Sequence, residues 1–521
     1  MILITEFYVL SVLFACVNGF ILDNKHYSGN GETPTFWRTQ AKSAITQKAR
    51  MTLNKGVAKN VILFLGDGMS IPTITAARIL KGQLQGQTGE ESKLSFEEFP
   101  ISGLSKTYCQ DTQVTDSAAS GTAYLCGVKT NIATIGVDGS VTRGDCASQK
   151  GAELTSILDW SMAAGKSVGF VTVTRVTDAT PASLYANVAD RSWEGDHYTS
   201  RISGGCKDIA SQLIDDYKNV QVIMGGGRRF FRRYDQPDPE HGSNAHYGRR
   251  DGRDLVQEWQ EGQHILGRTY KYVWNVSDFD SVNPATTDSI LGLFEYSHMQ
   301  YELERKDPNH EVAGEPSLAE MTEKAIKILS KNPKGFFLLV EGGNIDHGHH
   351  GGRAKMALYD TLAFQDAVQE GASMTSESDT LIVVTADHAH TMTIAGYPSR
   401  GNNILSKVDN GAGGFSHASD GLPYTTLLYG DGPGFSVSTH GHRTDITQVD
   451  TTDKHYQQQT AVYKTVETHG GDDVGIFARG PMSYLLAGVH EQNEIAHVMA
   501  YASCVGDYSN HNECAASLIT G

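Results

Sequence analysis

One pattern constrains this chain more than any other. Short apolar runs recur along it, each closing on a small or acidic cluster, and helical stretches fill the intervals. Val61-Ile62-Leu63-Phe64-Leu65 leads into Gly66-Asp67-Gly68. Phe336-Phe337-Leu338-Leu339-Val340 leads into Glu341-Gly342-Gly343, and Leu381-Ile382-Val383-Val384-Thr385 into Ala386-Asp387-His388. The runs at 168–173 and 220–224 fit the same scheme, the first followed by Asp178-Ala179-Thr180 and the second by three glycines. Amphipathic stretches lie at 153–164, 207–217, 318–330 and 353–369. A strand that is apolar throughout is covered on both faces, so the pattern predicts an α/β fold with a central, mostly parallel sheet and helices on both sides. Ligands in such sheets bind just beyond the carboxyl ends of the strands. Asp67, Asp178, Glu341 and Asp387 all fall at or shortly after such ends. Carboxylates converging on one sheet edge repel each other unless something positive sits among them, and metal is the simplest candidate.

Composition narrows the classes. The 521 residues are 39% hydrophobic and 20% charged, as in an ordinary globular protein. With 43 Lys and Arg against 60 Asp and Glu the net charge is −17, which argues against a generic nucleic-acid binder. It does not exclude a small anionic substrate, because bound metal ions reverse the local field. Residues 7–17 form an apolar segment too short to span a membrane, and Val17-Asn18-Gly19 offers a cleavage site. Residues 1–19 therefore read as a signal peptide and 20–521 as the exported chain. Six cysteines remain after cleavage, and the close pair Cys504 and Cys514 reads as a small disulfide loop of an oxidising compartment. No CxxC occurs, which argues against a cysteine zinc site. Asn275-Val276-Ser277 is an N-glycosylation sequon. From about 396 to 467 the periodicity fades into a Gly-, Ser- and Thr-rich stretch, read as an inserted subdomain because the sheet pattern returns at Val474-Gly475-Ile476-Phe477.

Asp346-His347-Gly348-His349-His350 is the densest set of metal-type side chains, and a helical turn would put Asp346 and His350 on one face. Asp387-His388 supplies another oxygen and nitrogen pair, and His469 a further imidazole. Taken singly these are a His-rich turn, a helix cap and a structural histidine. Taken together, five metal-type groups would complete two zinc sites in one cleft. Asp116-Ser117-Ala118-Ala119-Ser120-Gly121 looks like a helix start made of small residues. Ser117 is either a plain N-terminal cap or a nucleophile whose alkoxide a zinc ion favours. GxSxG is absent, so an α/β-hydrolase elbow is not supported. Arg191 could grip two phosphate oxygens with its planar fork, although alone it reads as a surface arginine. Gly225-Gly226-Gly227-Arg228-Arg229 matches no phosphate-loop pattern and reads as a strand exit.

With these residues in place the chain resembles the animal alkaline phosphatases from about Phe36-Trp37 to Cys514. The resemblance is carried by Asn60-Val61-Ile62-Leu63-Phe64-Leu65-Gly66-Asp67-Gly68-Met69, by Val340-Glu341-Gly342-Gly343-Asn344-Ile345-Asp346-His347-Gly348-His349-His350, by Thr385-Ala386-Asp387-His388 and by Glu467-Thr468-His469. It implies one zinc on Asp346, His350 and His469, a second on Asp67, Asp387, His388 and Ser117, and a magnesium on Asp67, Thr180 and Glu341. It also implies that Arg191 binds phosphate and that Ser117 forms a phosphoserine, which zinc-activated water then hydrolyses at alkaline pH. Asp178 stands where mammalian relatives carry His, while His347 follows the animal pattern. A hard carboxylate near the third site, acting through water, favours magnesium over zinc.

The resemblance further implies a calcium site from Glu258, the Phe294 carbonyl, Glu295 and Glu315, and disulfides Cys146–Cys206 and Cys504–Cys514, with Cys109 and Cys126 undetermined. Tyr397 matches a tyrosine that reaches the partner subunit, so a homodimer is expected, with residues 396–467 as a crown at its interface. The chain stops seven residues after Cys514, too short a tail for a GPI-anchor signal, which points to a secreted enzyme with no transmembrane helix. The rival readings are a metal phosphodiesterase or sulfatase on the same sheet and an idle binding or matrix protein. Ser117-Ala118-Ala119-Ser120-Gly121 lacks the Pro and Arg of a sulfatase context, and no metal ligand is missing as an idle protein would allow.

Overall fold

The computed structural model describes residues 32–199, 204–242, 248–307, 314–437, 441–511 and 514. The expected signal peptide and the segment after Cys514 lie outside the described residues. In chain order the strands are β1 (Asn60–Gly66), β2 (Ile101–Lys106), β3 (Ser167–Arg175), β4 (Val222–Gly226), β5 (Tyr270–Val273), β6 (Ser289–Leu293), β7 (Phe336–Gly342) and β8 (Thr380–Thr385). They continue with β9 (Ala389–His390), β10 (Met392–Ile394), β11 (Leu427–Gly432), β12 (Thr460–Tyr463), β13 (His469–Gly470), β14 (Val474–Arg479) and β15 (Gly488–Glu491). Ten of them form one sheet in the order β15-β2-β14-β8-β1-β7-β3-β4-β6-β5. From β8 across to β5 every pairing is parallel, and β14 runs antiparallel to both β8 and β2.

The unbroken apolar runs follow from burial on both faces. Along β1, Val61, Leu63 and Leu65 join one core cluster, while Ile62 and Phe64 join the other on the opposite side. The same division holds along β8, with Leu381 and Val383 on one side and Ile382 and Val384 on the other. Each such side chain contributes about 1.5–3 kcal/mol by leaving water, so the central strands are the least deformable part of the molecule. Helices Ile157–Ala163, Ile209–Asp216, Leu318–Leu329 and Ala354–Met374 occupy the four amphipathic stretches. Ser317 starts the third with a capping box, its hydroxyl accepting from the Glu320 amide while the Glu320 carboxylate accepts from the Ser317 amide.

Strands β2, β5 and β15 carry no comparable apolar signature. β2 and β15 lie at one edge of the sheet and β5 at the other, where one-sided exposure permits polar residues such as those of Gly488–Glu491. In the Gly-rich stretch, β11 pairs with β10 on one side and with β12 on the other as a separate three-stranded sheet. No helix among the described residues is long and apolar enough to cross a membrane.

Cys146 and Cys206 are joined across 60 residues and Cys504 and Cys514 across 10, while Cys109 and Cys126 are buried free thiols. Closing a loop of 60 residues restricts the unfolded chain by about 4 kcal/mol on the loop-entropy scale. Replacing Cys146 and Cys206 together by serine should therefore lower the free energy of unfolding by up to about 4 kcal/mol in denaturant titration. An unchanged midpoint would show that this bridge does not constrain the chain.

Candidate active site

Four neighbouring parallel strands, β8-β1-β7-β3, deliver the acidic residues to one edge. Asp67 follows β1, Glu341 lies in the last turn of β7 opposite Leu65 and Thr172, Asp387 follows β8, and Asp178 follows β3. The turn after β1 is tight because Gly68 takes φ 66°, and a Cβ there would come within 2.4 Å of the His390 ring. Asp387 braces this turn, its Oδ1 accepting from the amides of Gly68 and His388, each at 2.9 Å.

Ser117 is the first residue of helix Ser117–Cys126, whose cap is Asp116. All ten residues of that helix are buried, and the small side chains allow close approach to the segment carrying Thr180: a Cβ on Gly121 would meet Ser183 Oγ at 2.5 Å. Asp116 Oδ1 accepts from the amides of Ala119 and Ala133, and Oδ2 from Arg191 Nη1 at 3.0 Å. One carboxylate thus ties the serine's helix to the arginine. Arg191 Nη2 donates to Asp178 Oδ1 at 3.2 Å. Burial works against the Arg191 charge, but Asp116 and Asp178 outweigh it and hold the guanidinium protonated.

Helix Asn344–His350 places Asp346 and His350 on one face, as their spacing predicts, with His350 Nε2 at 3.3 Å from Asp346 Oδ1. His469 arrives from β13, which pairs antiparallel with β9 so that His469 stands opposite His390. His469 Nε2 lies 3.5 Å from Asp346 Oδ1 and 3.1 Å from His350 Nε2. Both rings donate through Nδ1 to main-chain carbonyls, His350 to Glu467 at 2.6 Å and His469 to Thr115 at 2.8 Å. With Nδ1 engaged on both rings, their Nε2 atoms face each other and a carboxylate, a donor set that a cation placed between them would satisfy.

A second cluster repeats the logic. His388 Nδ1 faces the Ala389 carbonyl, so Nε2 points at Ser117 Oγ (3.2 Å), Asp387 Oδ2 (3.1 Å) and Asp67 Oδ1 (3.5 Å). Burial, then His469, depresses the His388 imidazole well below its usual range, so that nitrogen is a lone pair aimed at carboxylate oxygens. Asp67 Oδ1 and Asp387 Oδ2 are buried and make no hydrogen bond. Beside them the Thr180 hydroxyl faces the Glu341 carboxylate without hydrogen-bond geometry, while Glu341 Oε2 accepts from Thr172 and, at 3.0 Å, from Thr174. Burial together with Asp387, Asp346 and Glu341 pushes Asp67 well above the carboxylate range, and burial lifts Glu341 to about 8. Burial would raise Asp346 too, but His350 and His390 pull it well below. The donor set, oxygen and imidazole nitrogen with orphaned oxygens, fits divalent cations in all three places.

The structure also supplies residues that the sequence reading did not single out. His390 Nε2 lies 2.7 Å from Asp346 Oδ1 and its Nδ1 2.5 Å from Glu467 Oε2; burial opposes its charge, yet Glu467 and Asp346 raise it to about 10. The available signal was nearness in the chain, since His390 lies two residues beyond His388 in the short strand β9. His298 packs its ring against His347 at 4.1 Å and lies 3.7 Å from Asp178, a contact between distant segments that no local pattern announces. His347 itself bonds Asn344 Oδ1 at 3.0 Å.

The expected calcium set is only partly gathered. Glu295 and Glu315 meet at Gln300, whose side chain donates to Glu295 and whose amide donates to Glu315. Phe294 adjoins them in sequence and is buried. Glu258 instead offers both of its carboxylate oxygens to Arg253. Glu240, held at 2.9 Å by Arg228, faces Glu295 in its place, and burial together with the Glu295 charge raises its carboxyl. Asn275 caps helix Val276–Ser281, accepting from the Asp278 amide at 2.8 Å.

Comparison with known proteins identifies the family. A family model described as alkaline phosphatase matches residues 58–505. The tissue-nonspecific alkaline phosphatase of Rattus norvegicus is 47% identical over 98% of this chain and 95% of its own. The human tissue-nonspecific isozyme is 46% identical over 100% of this chain and 96% of its own, and the alkaline phosphatase of Gadus morhua 49% identical over 91% and 98%. Among solved structures, the Thermus thermophilus alkaline phosphatase superposes with a TM-score of 0.61 at 24% identity, covering 86% of this chain and 92% of that one.

The raised Glu341 carboxyl has a measurable sign. Between the ordinary carboxylate range and about 8 the metal-free fold keeps a proton there that the unfolded chain has lost, so this contribution to stability is full below that range and is lost as the pH rises through about 8. Cations must displace that proton. Protons released on adding zinc and magnesium to chelator-stripped protein should therefore fall between about pH 7 and about pH 9. Calorimetry in buffers of different ionisation enthalpy reads the number; a pH-independent release, or one that Glu341→Gln leaves unaltered near neutrality, would contradict the assignment.

Proposed function

The chain belongs to the alkaline phosphatase family and hydrolyses phosphate monoesters, and we propose that it does so by in-line displacement on Ser117 within a site built for three divalent cations. The family is metal-dependent, and the chain carries the groups such ions need. Asp346, His350 and His469 would hold one zinc, Asp67, Asp387 and His388 a second beside Ser117, and Asp67, Thr180 and Glu341 a magnesium. Bound there, such ions act as Lewis acids towards phosphoryl oxygens and lower the pKa of a coordinated hydroxyl or water.

The chain's own residues supply the rest. Ser117 Oγ stands at the positive end of a buried helix, where developing negative charge on the nucleophile and phosphoryl group is favoured. Arg191 reaches Asp116 and Asp178 with one hydrogen on each terminal nitrogen, which leaves the other pair as a fork for two phosphoryl oxygens. Asp116 caps the serine helix and orients Arg191, so nucleophile and phosphate grip are set by one side chain. Burial of the acidic and imidazole groups keeps bulk water from screening them. The single observation that carries this reading is Ser117 Oγ, 3.2 Å from His388 Nε2, at the meeting point of the orphaned Asp67 and Asp387 oxygens.

A homodimer is supported by apolar surface that one chain leaves open. Helix Pro34–Ala49 has no buried residue, Phe36, Trp37 and Ile45 are exposed on it, and Tyr397 is fully exposed. Export is supported by the two disulfides. Light scattering should give twice the chain mass for the purified protein, and a monomer at micromolar concentration would remove this part of the proposal.

Ser117→Ala should lower kcat for p-nitrophenyl phosphate by about a thousandfold or more while zinc content stays that of the wild type. Acid quenching of the wild type with labelled phosphate should leave label on the peptide containing Ser117. Label on another residue, or turnover undiminished in the variant, would sink the nucleophile assignment.

A further inference from the structure

Arg191 belongs to a row of largely buried charges that starts at Asp116, beside Ser117, and leads away from it. Its partner Asp178 offers one oxygen to Arg191 and the other to Arg175, whose Nη2 donates to Asp178 Oδ2 at 2.8 Å. Arg175 Nε donates to Glu194 Oε2 at 2.7 Å, and Thr177 Oγ1 donates to the same oxygen at 2.7 Å. The remaining Arg175 nitrogen meets His298 Nε2. Glu194 is 7% exposed. Signs therefore alternate along Glu194, Arg175, Asp178, Arg191 and Asp116, and the last is anchored by the amides of Ala119 and Ala133.

The row has a mechanical consequence. Asp178 is shared between two guanidinium groups, and how it is shared sets the direction of Arg191. Glu194 satisfies Arg175 at Nε, next to the Nη2 that holds Asp178. Without it, a buried guanidinium short of a hydrogen-bond acceptor at Nε would turn towards its remaining carboxylate, and that carboxylate is the one that aims Arg191. The charge of Arg191 would be unaltered; its direction would not.

We propose that Glu194 is a positioning residue for phosphate binding, acting through Arg175 and Asp178 to keep the Arg191 fork aimed at the phosphoryl oxygens. This rests on the reading of Arg191 as the residue that grips phosphate. Position and field predict opposite signs. By field alone, removing a negative charge near the site would tighten binding of a phosphate anion. By loss of position, binding weakens.

The test uses full-length, metal-loaded protein with zinc content matched by elemental analysis, and reads the Ki of inorganic phosphate alongside KM and kcat for p-nitrophenyl phosphate. Glu194→Ala should raise the phosphate Ki on the order of tenfold. Glu194→Gln, which still accepts from Arg175 and Thr177, should stay within about twofold of the wild type. In the Arg191→Ala background Glu194→Ala should add nothing, because the group it positions is gone. Should Glu194→Ala not fold, Glu194→Asp keeps the charge, withdraws the carboxylate by one methylene and should raise Ki in the same direction. An unchanged or lower Ki in the tested variant, or a loss that adds fully to that of Arg191→Ala, overturns the proposal. If Arg191→Ala itself leaves Ki unchanged, the phosphate-grip reading fails as well, and the two failures are told apart by that single variant.

Discussion

Carboxylates crowded at one sheet edge set the terms on which the rest of this molecule is built. Asp67, Glu341, Asp346 and Asp387 are each at most 6% exposed and lie close enough for their charges to act on one another. Two like charges about 4 Å apart repel by about 4 kcal/mol even at an effective dielectric of about 20. A whole domain is stable by only about 5–15 kcal/mol. An uncompensated cluster of this kind would consume most of that margin, so protons or cations must accompany it. The facing Nε2 atoms of His350 and His469, with Asp346 against them, form a donor set that a cation would satisfy in the neighbouring cluster.

Holding such a cluster together requires a frame that does not yield to the repulsion. The parallel strands β8-β1-β7-β3 provide it, with side chains packed on both faces and the acidic residues placed where the strands end. The loops beyond are pinned by contacts between distant segments: the β9–β13 pairing carries His469 to the helix of Asp346, and Glu467 holds both His390 and the Thr391 amide. On the phosphate side, positive charge comes from Arg191, which Asp116 and Asp178 keep in place at the helix of Ser117. Cation demand and anion grip therefore meet at one serine.

Much of this was legible in the residues. β1, β3, β4, β7, β8 and β14 announced themselves as apolar runs because burial on both faces favours apolar side chains along most of their length. Asp67, Glu341 and Asp387 were legible as strand-end acids, and Asp346 with His350 through helical spacing. Edge strands such as Gly488–Glu491 were not, since a strand exposed on one side can be as polar as a loop. The resemblance groups Glu258 with Glu295 and Glu315, yet its carboxylate pairs with Arg253, and it is Glu240 whose charge meets that of Glu295. His298 and Glu194 gave no local signal, because each acquires its role from a partner far along the chain or at the end of a relay of charges.

The sequence by itself determined the sheet, its layered core and the acidic character of its carboxyl edge, since strand periodicity and strand-end residues are local properties that survive in one dimension. Tertiary structure decided which of the many histidines and acids share a site. His350 Nε2 faces His469 across 119 residues, and Arg191 reaches Asp116 across 75. Contacts of that range are set by how strands are ordered in the sheet and how loops cross its edge, and no spacing in the chain encodes them directly. The physical reason is that a side chain's chemistry is intrinsic, whereas its field, desolvation and hydrogen-bond partners belong to the space around it.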